Sequence, residues 1–259
     1  MHAVFLGDSH AHAVIRSLSK APQIDWVRAV DIRRVESIQV KTKEVPRDLA
    51  RQFLHRVTTI GKKRFEARQP ISKEVPPDLT RQFPADIVFC CFGGTEYNLL
   101  SLVEADEPTD FMFDRDDTVM PGRKIIPNGV VRAALALRLR SAHSRLQAVR
   151  AAYKCPLVCV APPPPFLELG DPAGLPSAFT PLLARGITPA PIRRKWYRTQ
   201  IDLLAAQCAA DGIGLMAAPT SAQDAEGFLL RSFWTNDPTH GNAAYGSALI
   251  EQMKASEFV

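Results

Sequence analysis

The sequence predicts a doubly wound α/β fold, and three observations predict it. Short apolar runs that suit buried parallel strands recur at residues 2–6, 26–30, 87–92, 156–161 and 213–217. Segments with helical apolar spacing lie between most of them. Glycine or proline closes several of the runs, as at Gly7, Gly93 and Pro162. Strands alternating with helices in this way imply a parallel sheet with right-handed crossovers, whose functional site forms outside the carboxyl ends of the strands.

The first unit carries the densest signal. Residues 2–6 run into Gly7, and beyond the turn Ala11, Val14, Ile15 and Leu18 fall at i, i+3, i+4 and i+7, with Arg16 and Lys20 outward. Gly7-Asp8-Ser9-His10 therefore occupies a strand-to-helix turn. A serine placed there holds its hydroxyl above the sheet, and its N–H belongs to the unpaired, partly positive first turn of the helix. Asp and Ser are also ordinary turn and cap residues, so the turn alone assigns no chemistry. His10 and His12 follow Ser9 on its own helix and are expected to line a pocket or face solvent.

After the strand at 26–30 the chain contains an internal duplication. Lys43-Glu44-Val45-Pro46-Arg47-Asp48-Leu49-Ala50-Arg51-Gln52-Phe53 returns thirty residues later as Lys73-Glu74-Val75-Pro76-Pro77-Asp78-Leu79-Thr80-Arg81-Gln82-Phe83. Two copies cannot build a solenoid. The repeat is read as a duplicated surface insertion around residues 41–84, inside a single domain spanning 1–259. The continuous apolarity of 87–92 then marks a central strand, ended by Gly93 and Gly94.

Residues 104–117 are acidic and interleaved with Phe111, Met112 and Phe113, without the spacing of a calcium loop, and are expected to form a mobile rim beside the site. Asn128 is expected to cap a long helix whose buried stripe is Val131, Ala134, Leu135, Leu139, Ala142, Leu146 and Val149. That stripe makes Arg132, Arg138, Arg140, Arg145 and Arg150 its solvated face. Pro162 to Pro165 follow the fourth strand and predict a stiff wall, with residues 166–191 covering the site. A helix over 192–210 turns Trp196, Leu203, Leu204 and Cys208 inward, starts with Arg193, Arg194 and Lys195 at its surface, and stops at Asp211-Gly212.

Composition narrows the classes. With 46% hydrophobic and 23% charged residues over 259 positions, the chain is globular, and no apolar run reaches the eighteen residues of a membrane span. The net charge of +5 carries no aromatic stacking pattern or nucleic-acid motif, so no nucleic-acid partner is expected. No leader pattern precedes the first strand, which favours a cytoplasmic location. The five cysteines, four of them assigned to core strands, read as reduced and structural, and no metal or cofactor is expected.

The far end of the chain supplies what a serine nucleophile requires. Asn236-Asp237-Pro238-Thr239-His240-Gly241-Asn242 precedes a last helix, and an Asp and a His three residues apart can provide a base and the carboxylate that orients it. The pairing of Gly7-Asp8-Ser9 with Asp237-x-x-His240 resembles the SGNH/GDSL hydrolase family, and the resemblance spans the whole chain. It implies a flavodoxin-like three-layer α/β/α sandwich with a five-stranded parallel sheet. It also implies Ser9 as nucleophile and oxyanion donor, His240 as base and Asp237 as its partner. Gly93-Gly94-Thr95-Glu96 stands where the family has Gly-x-Asn-Asp, so the oxyanion hole is assigned to Ser9, Gly94 and either Thr95 or Asn98 one helical turn on. No glycine near residues 30–37 matches the family's second block. A G-x-S-x-G elbow is absent, because Ala11 holds its last position.

The function so implied is a serine esterase acting on a small acyl group, acetate above all, carried by a small molecule or carbohydrate. An acyltransferase using the same serine, or a catalytically weak binding protein of the same fold, are the alternatives.

Overall fold

A computed structural model describes residues 2–31, 57–60, 63–66, 79–94, 96–168, 186–235 and 237–258. Five parallel strands form the central sheet: β1 (Ala3–Gly7), β2 (Val27–Asp31), β3 (Ile87–Cys91), β4 (Leu157–Val160) and β5 (Gly214–Met216), in the order β2-β1-β3-β4-β5. This is the flavodoxin-like order. Its switch point lies between β1 and β3, whose last residues Gly7 and Cys91 stand side by side in register.

Every residue of β1 and β3 is buried, as expected of strands covered on both faces. Their alternating side chains feed two cores. Ala3, Phe5, Ile87 and Phe89 pack on one face with α1 (Ala11–Lys20) and the last helix, Ala243–Lys254. Val4, Leu6, Val88 and Cys90 pack on the other face with the long helix Asn128–Ala152 and with Cys208 of the helix Ala190–Ala210. In chain order the helices are α1, α2 (Leu79–Gln82), α3 (Glu96–Ser101), α4 (Asn128–Ala152), α5 (Ala190–Ala210) and α6 (Ala243–Lys254). A third cluster joins Tyr97 of α3 and Phe111 to Val131 and Leu135 of α4.

The two terminal helices touch more closely than side chains usually allow. Gly246 of α6 lies directly on the Ala13 carbonyl of α1, where a Cβ would collide with backbone, and the Ser17 and Ser247 hydroxyls meet at 2.8 Å.

Several expectations change once packing is seen. The acidic segment is anchored: Asp110 and Phe111 are buried, and Thr109–Asp110 pairs in parallel with Lys124–Ile125. Lys195 and Arg193 are buried tethers, not surface charges. The Lys195 ammonium donates to the Asp110 carboxylate at 2.7 Å and to the carbonyls of Phe111 and Thr118. The Arg193 guanidinium donates to the carbonyls of Thr188, Phe166 and Leu167, and burial pulls it down to about 10. Asn128 does not cap α4; Pro127 stands at the cap, and the Asn128 amide donates to the Phe113 carbonyl.

Of the five arginines assigned to solvent, Arg138 and Arg140 are exposed, while Arg150 donates to the Tyr153 and Cys155 carbonyls and Arg145 turns inward. Cys90, Cys91 and Cys159 do lie in strands, Cys208 is buried on α5, and Cys155 is half-buried ahead of β4; all five are free thiols. Burial pushes Cys90 and Cys91 well above the ordinary thiol range, which makes them inert.

The first copy of the repeat lies outside the described residues, as does most of the second. The end of the second copy is core instead of surface, for Leu79 and Phe83 are buried and Arg28 lies over the Phe83 ring at 4.7 Å. Between the copies, Val57–Ile60 and Lys63–Glu66 form an antiparallel ladder.

The α1–α6 contact yields a direct test. Replacing Gly246 with Ala places a methyl group against fixed backbone, and overpacking of that kind costs about 1–3 kcal/mol. Urea unfolding of Gly246→Ala is expected to show a lower midpoint with an unchanged m-value, whereas Ala244→Ser, at an exposed position in the first turn of the helix, should move it by well under half as much.

Candidate active site

The first loop is built by close packing at the end of β1. A Cβ on Gly7 would crowd both Ala11 and the Cys91 carbonyl, so glycine lets the chain turn at once from strand to helix. The turn then winds into α1 through Ala11 N–H to the Asp8 carbonyl (3.1 Å), His12 N–H to the Ser9 carbonyl (3.3 Å) and Ala13 N–H to the His10 carbonyl (3.3 Å). Ser9 is half-buried in this turn. Asp8 beside it faces the Arg145 guanidinium at 3.6 Å, which itself lies 5.5 Å above the Phe92 ring. His12 reaches sideways to the buried Asp31 carboxylate at the end of β2, at 2.8 Å.

The loop after β3 turns at Gly93, whose φ of +71° favours glycine and where a Cβ would strike Ala142. Gln200, wholly buried on α5, pins this turn from both sides. Its amide donates to the Gly93 carbonyl at 2.9 Å, and its oxygen accepts the Tyr97 N–H of α3 at 2.8 Å. Sequence reasoning did not single out Gln200; a polar residue on the inward side of a helix is the signal that could have found it.

The third loop holds the histidine. Asp237 Oδ1 accepts from His240 Nδ1 (2.8 Å), the His240 N–H (3.0 Å), the Thr239 N–H (2.9 Å) and the Thr239 hydroxyl (2.8 Å), while Oδ2 accepts from the Thr235 hydroxyl (2.8 Å). Burial pushes the Asp237 carboxyl upward, but the hydrogen bonds and charge of His240, with those of Thr239, outweigh it and hold the group well below the usual carboxylate range. An ionised acceptor on Nδ1 puts the proton there and leaves the Nε2 lone pair free. Nε2 is buried and has no hydrogen-bond partner among the described residues.

The loop itself is braced at three points. Thr235 N–H donates to the His240 carbonyl at 3.0 Å. Asn242 caps α6 by accepting the Ala244 and Tyr245 N–H groups, and its own amide donates to the Ser232 and Trp234 carbonyls. The Asn98 amide, expected at the oxyanion hole, instead donates to the Pro238 carbonyl at 3.1 Å and ties α3 to the histidine loop. Thr95 lies outside the described residues.

The structure thus joins Asp237 to His240 directly and carries His240 to the Ser9 loop through His10. The His10 ring is buried, rests where a Gly94 side chain would be, and meets the His240 ring at 4.8 Å between centroids. The Ser9 hydroxyl is not hydrogen-bonded to Nε2 in this conformation. Pro162 to Pro165, expected to form a stiff wall, are buried at the end of β4, and their carbonyls accept the Tyr197 and Tyr97 hydroxyls and the Leu229 N–H. Much of the loop assigned to 166–191 lies outside the described residues. Among those described, no cluster of three or more His, Cys, Asp or Glu could hold a metal ion, and no helix is long and apolar enough to cross a membrane.

No family model and no curated protein matches the sequence. Solved structures do superpose along nearly its full length. A carbohydrate acetylesterase from Sinorhizobium meliloti shares 11% identity at a TM-score of 0.45, covering 98% of this chain and 99% of that one. An aryl esterase from M. smegmatis shares 12% at 0.40, covering 98% and 99%, and a phospholipase A1 from Streptomyces albidoflavus shares 13% at 0.39, covering 98% and 98%. Likeness at this level leaves the chemistry to be argued from the chain's own residues.

The depressed Asp237 carboxyl has a consequence for stability. A group whose folded-state pKa is lowered stabilises the fold above its unfolded value, about 4 for Asp, and loses that contribution as pH falls through the folded value. The urea midpoint of the native protein is therefore expected to exceed that of Asp237→Asn at pH 5. The margin should shrink steadily below about pH 4.

Proposed function

We propose that the chain is a serine ester hydrolase of the SGNH/GDSL type that removes small acyl groups, acetyl foremost, from a carbohydrate or similarly polar alcohol. The observation that carries the reading is the Asp237–His240 pair, with Nδ1 bound to an ionised carboxylate and Nε2 buried without a hydrogen-bond partner among the described residues, beside the loop of Ser9. That is the arrangement of a general base awaiting a hydroxyl, and such hydrogen bonds are often formed only once substrate is bound.

In the proposed reaction, Ser9 Oγ attacks the ester carbonyl carbon as its proton passes to His240 Nε2. The negative charge on the carbonyl oxygen is met by backbone N–H groups of Ser9 and Gly94. Collapse breaks the bond to the alcohol oxygen, which takes the proton from Nε2 and leaves an acyl-Ser9. Water then gives a proton to Nε2 and attacks the acyl carbon, and the acid departs as Oγ recovers the proton. Asp237 stays ionised throughout and stabilises the imidazolium.

The polar alcohol rests on the resemblance of the Gly7-Asp8-Ser9 and Asp237-x-x-His240 blocks to the SGNH/GDSL family, many of whose members act on acylated carbohydrates.

The test is twofold. A fluorophosphonate is expected to label the native protein at Ser9 and to leave Ser9→Ala unlabelled. On a short p-nitrophenyl ester, Ser9→Ala and His240→Ala should each retain only residual activity and the double variant should be within about threefold of either, because the groups act as a unit. Asp237→Asn is expected to lose on the order of 10⁴ in rate. Absence of labelling, or damage that multiplies in the double variant, would refute the mechanism.

A further inference from the structure

Hydrogen bonding alone leaves His240 under-determined. Asp237 Oδ1 at 2.8 Å and the Thr239 hydroxyl oxygen at 2.7 Å both meet the ring at one atom, Nδ1, and the terminal torsion of a histidine is a broad, roughly two-fold well. A ring held at one point can still tilt and carry Nε2 out of line with an attacking hydroxyl. A second contact on the ring face is needed to fix its plane, and the described residues supply one.

That contact is His10, set at 4.8 Å with the two ring planes 35° apart. His10 is itself firmly seated. It is 5% exposed, its N–H faces Asp8 Oδ1 at 3.4 Å, and its carbonyl receives the Ala13 N–H. Its imidazole occupies the space a Gly94 side chain would fill, so any other residue at that position would evict the ring. Three loops therefore converge on one side chain: the loop after β1 that bears Ser9, the Gly93–Gly94 turn after β3, and the histidine loop before α6. His10 is also the covalent neighbour of Ser9, so nucleophile and ring face move together.

We propose that His10 is a positioning residue for the esterase reaction: its ring face sets the plane of the His240 imidazole and keeps Nε2 aligned with the Ser9 hydroxyl. The inference rests on the esterase reading above. What the role requires of residue 10 is a flat, apolar-faced ring of the right thickness; its nitrogens exchange no proton with substrate. An aromatic contact of this sort is modest in size, and its loss is expected to cost about five- to tenfold in kcat. KM should stay within about twofold, since substrate binding does not involve the ring.

The experiment compares His10→Phe, which keeps a flat ring, with His10→Leu, which fills the space without one. On a p-nitrophenyl ester, His10→Leu should lose about five- to tenfold in kcat and His10→Phe should stay within about threefold of the native enzyme. Gly94→Ala, which evicts the ring, should fall at least as far as His10→Leu. Urea midpoints of all three variants show whether each is folded at the assay temperature. A second readout is independent of turnover. In protein carrying ¹³C-labelled histidine, the His240 ring protons, assigned by their loss in His240→Gln, should show a ring-current shift in the native chain and in His10→Phe but not in His10→Leu.

Native kcat in folded His10→Leu would overturn the proposal, as would equal losses in His10→Leu and His10→Phe, since the second result would mean that the nitrogens matter and not the face. A His240 signal that stays put in His10→Leu would overturn the contact itself. Failure of the esterase reading looks different: the native protein would neither turn over esters nor react with a fluorophosphonate, while the ring-current signature would persist.

Discussion

Gly246 against the Ala13 carbonyl is the contact on which the site depends. Ser9 and His240 stand at opposite ends of the chain, and neither loop reaches the other by local structure. Each is followed at once by a helix, α1 or α6, and those helices meet along their length, with Ser17 and Ser247 bonded across a sequence separation of 230 residues. The crossing works because glycine lets the two backbones approach to a distance no side chain would permit. With α1 seated on the sheet and α6 seated on α1, the starts of both helices, and the loops in front of them, share one edge of the domain.

Around that edge the fold uses charge as scaffolding. Lys195 and Asp110 form a buried ion pair with every ammonium hydrogen engaged, and Arg193 satisfies three carbonyls while stacking 4.7 Å above Phe166. Desolvating such groups is expensive, and replacing a buried pair by apolar residues is often neutral or better for stability, so their value here lies in fixing direction. Each ties a loop at the carboxyl side of the sheet to α5. Arg145 does similar duty from α4 by facing Asp8, the neighbour of Ser9. The site thus sits among loops with few free ends, as catalytic geometry demands.

The histidine loop is by contrast locally made. Asp237 collects the hydroxyls of Thr235 and Thr239 and the amides of the residues that follow it, all within a stretch of six positions. Asn242 closes it by capping α6 and holding the Ser232 and Trp234 carbonyls. Among the described residues, the Asn98 amide on Pro238 and the His10 ring on His240 come from elsewhere, and they help set where the finished loop points.

By itself the sequence determined the five strands, the alternation that makes them a parallel sheet, the turn that holds Ser9, and the Asp237–His240 spacing, because each rests on neighbours within one or two turns of chain. The tertiary structure decided the rest. It buried Arg193 and Lys195, which look solvated by helix position, because their acceptors are carbonyls and a carboxylate on distant loops. It turned the acidic segment from a rim into an anchored wall by burying Phe111 against α4. It sent Asn98 to Pro238 and made His10, read from sequence as pocket lining or solvent-facing, the meeting point of three loops. Polar side chains carry no periodic signature of their partners, since a hydrogen bond is specified by direction and distance in space, and those exist only once the helices and the sheet have packed.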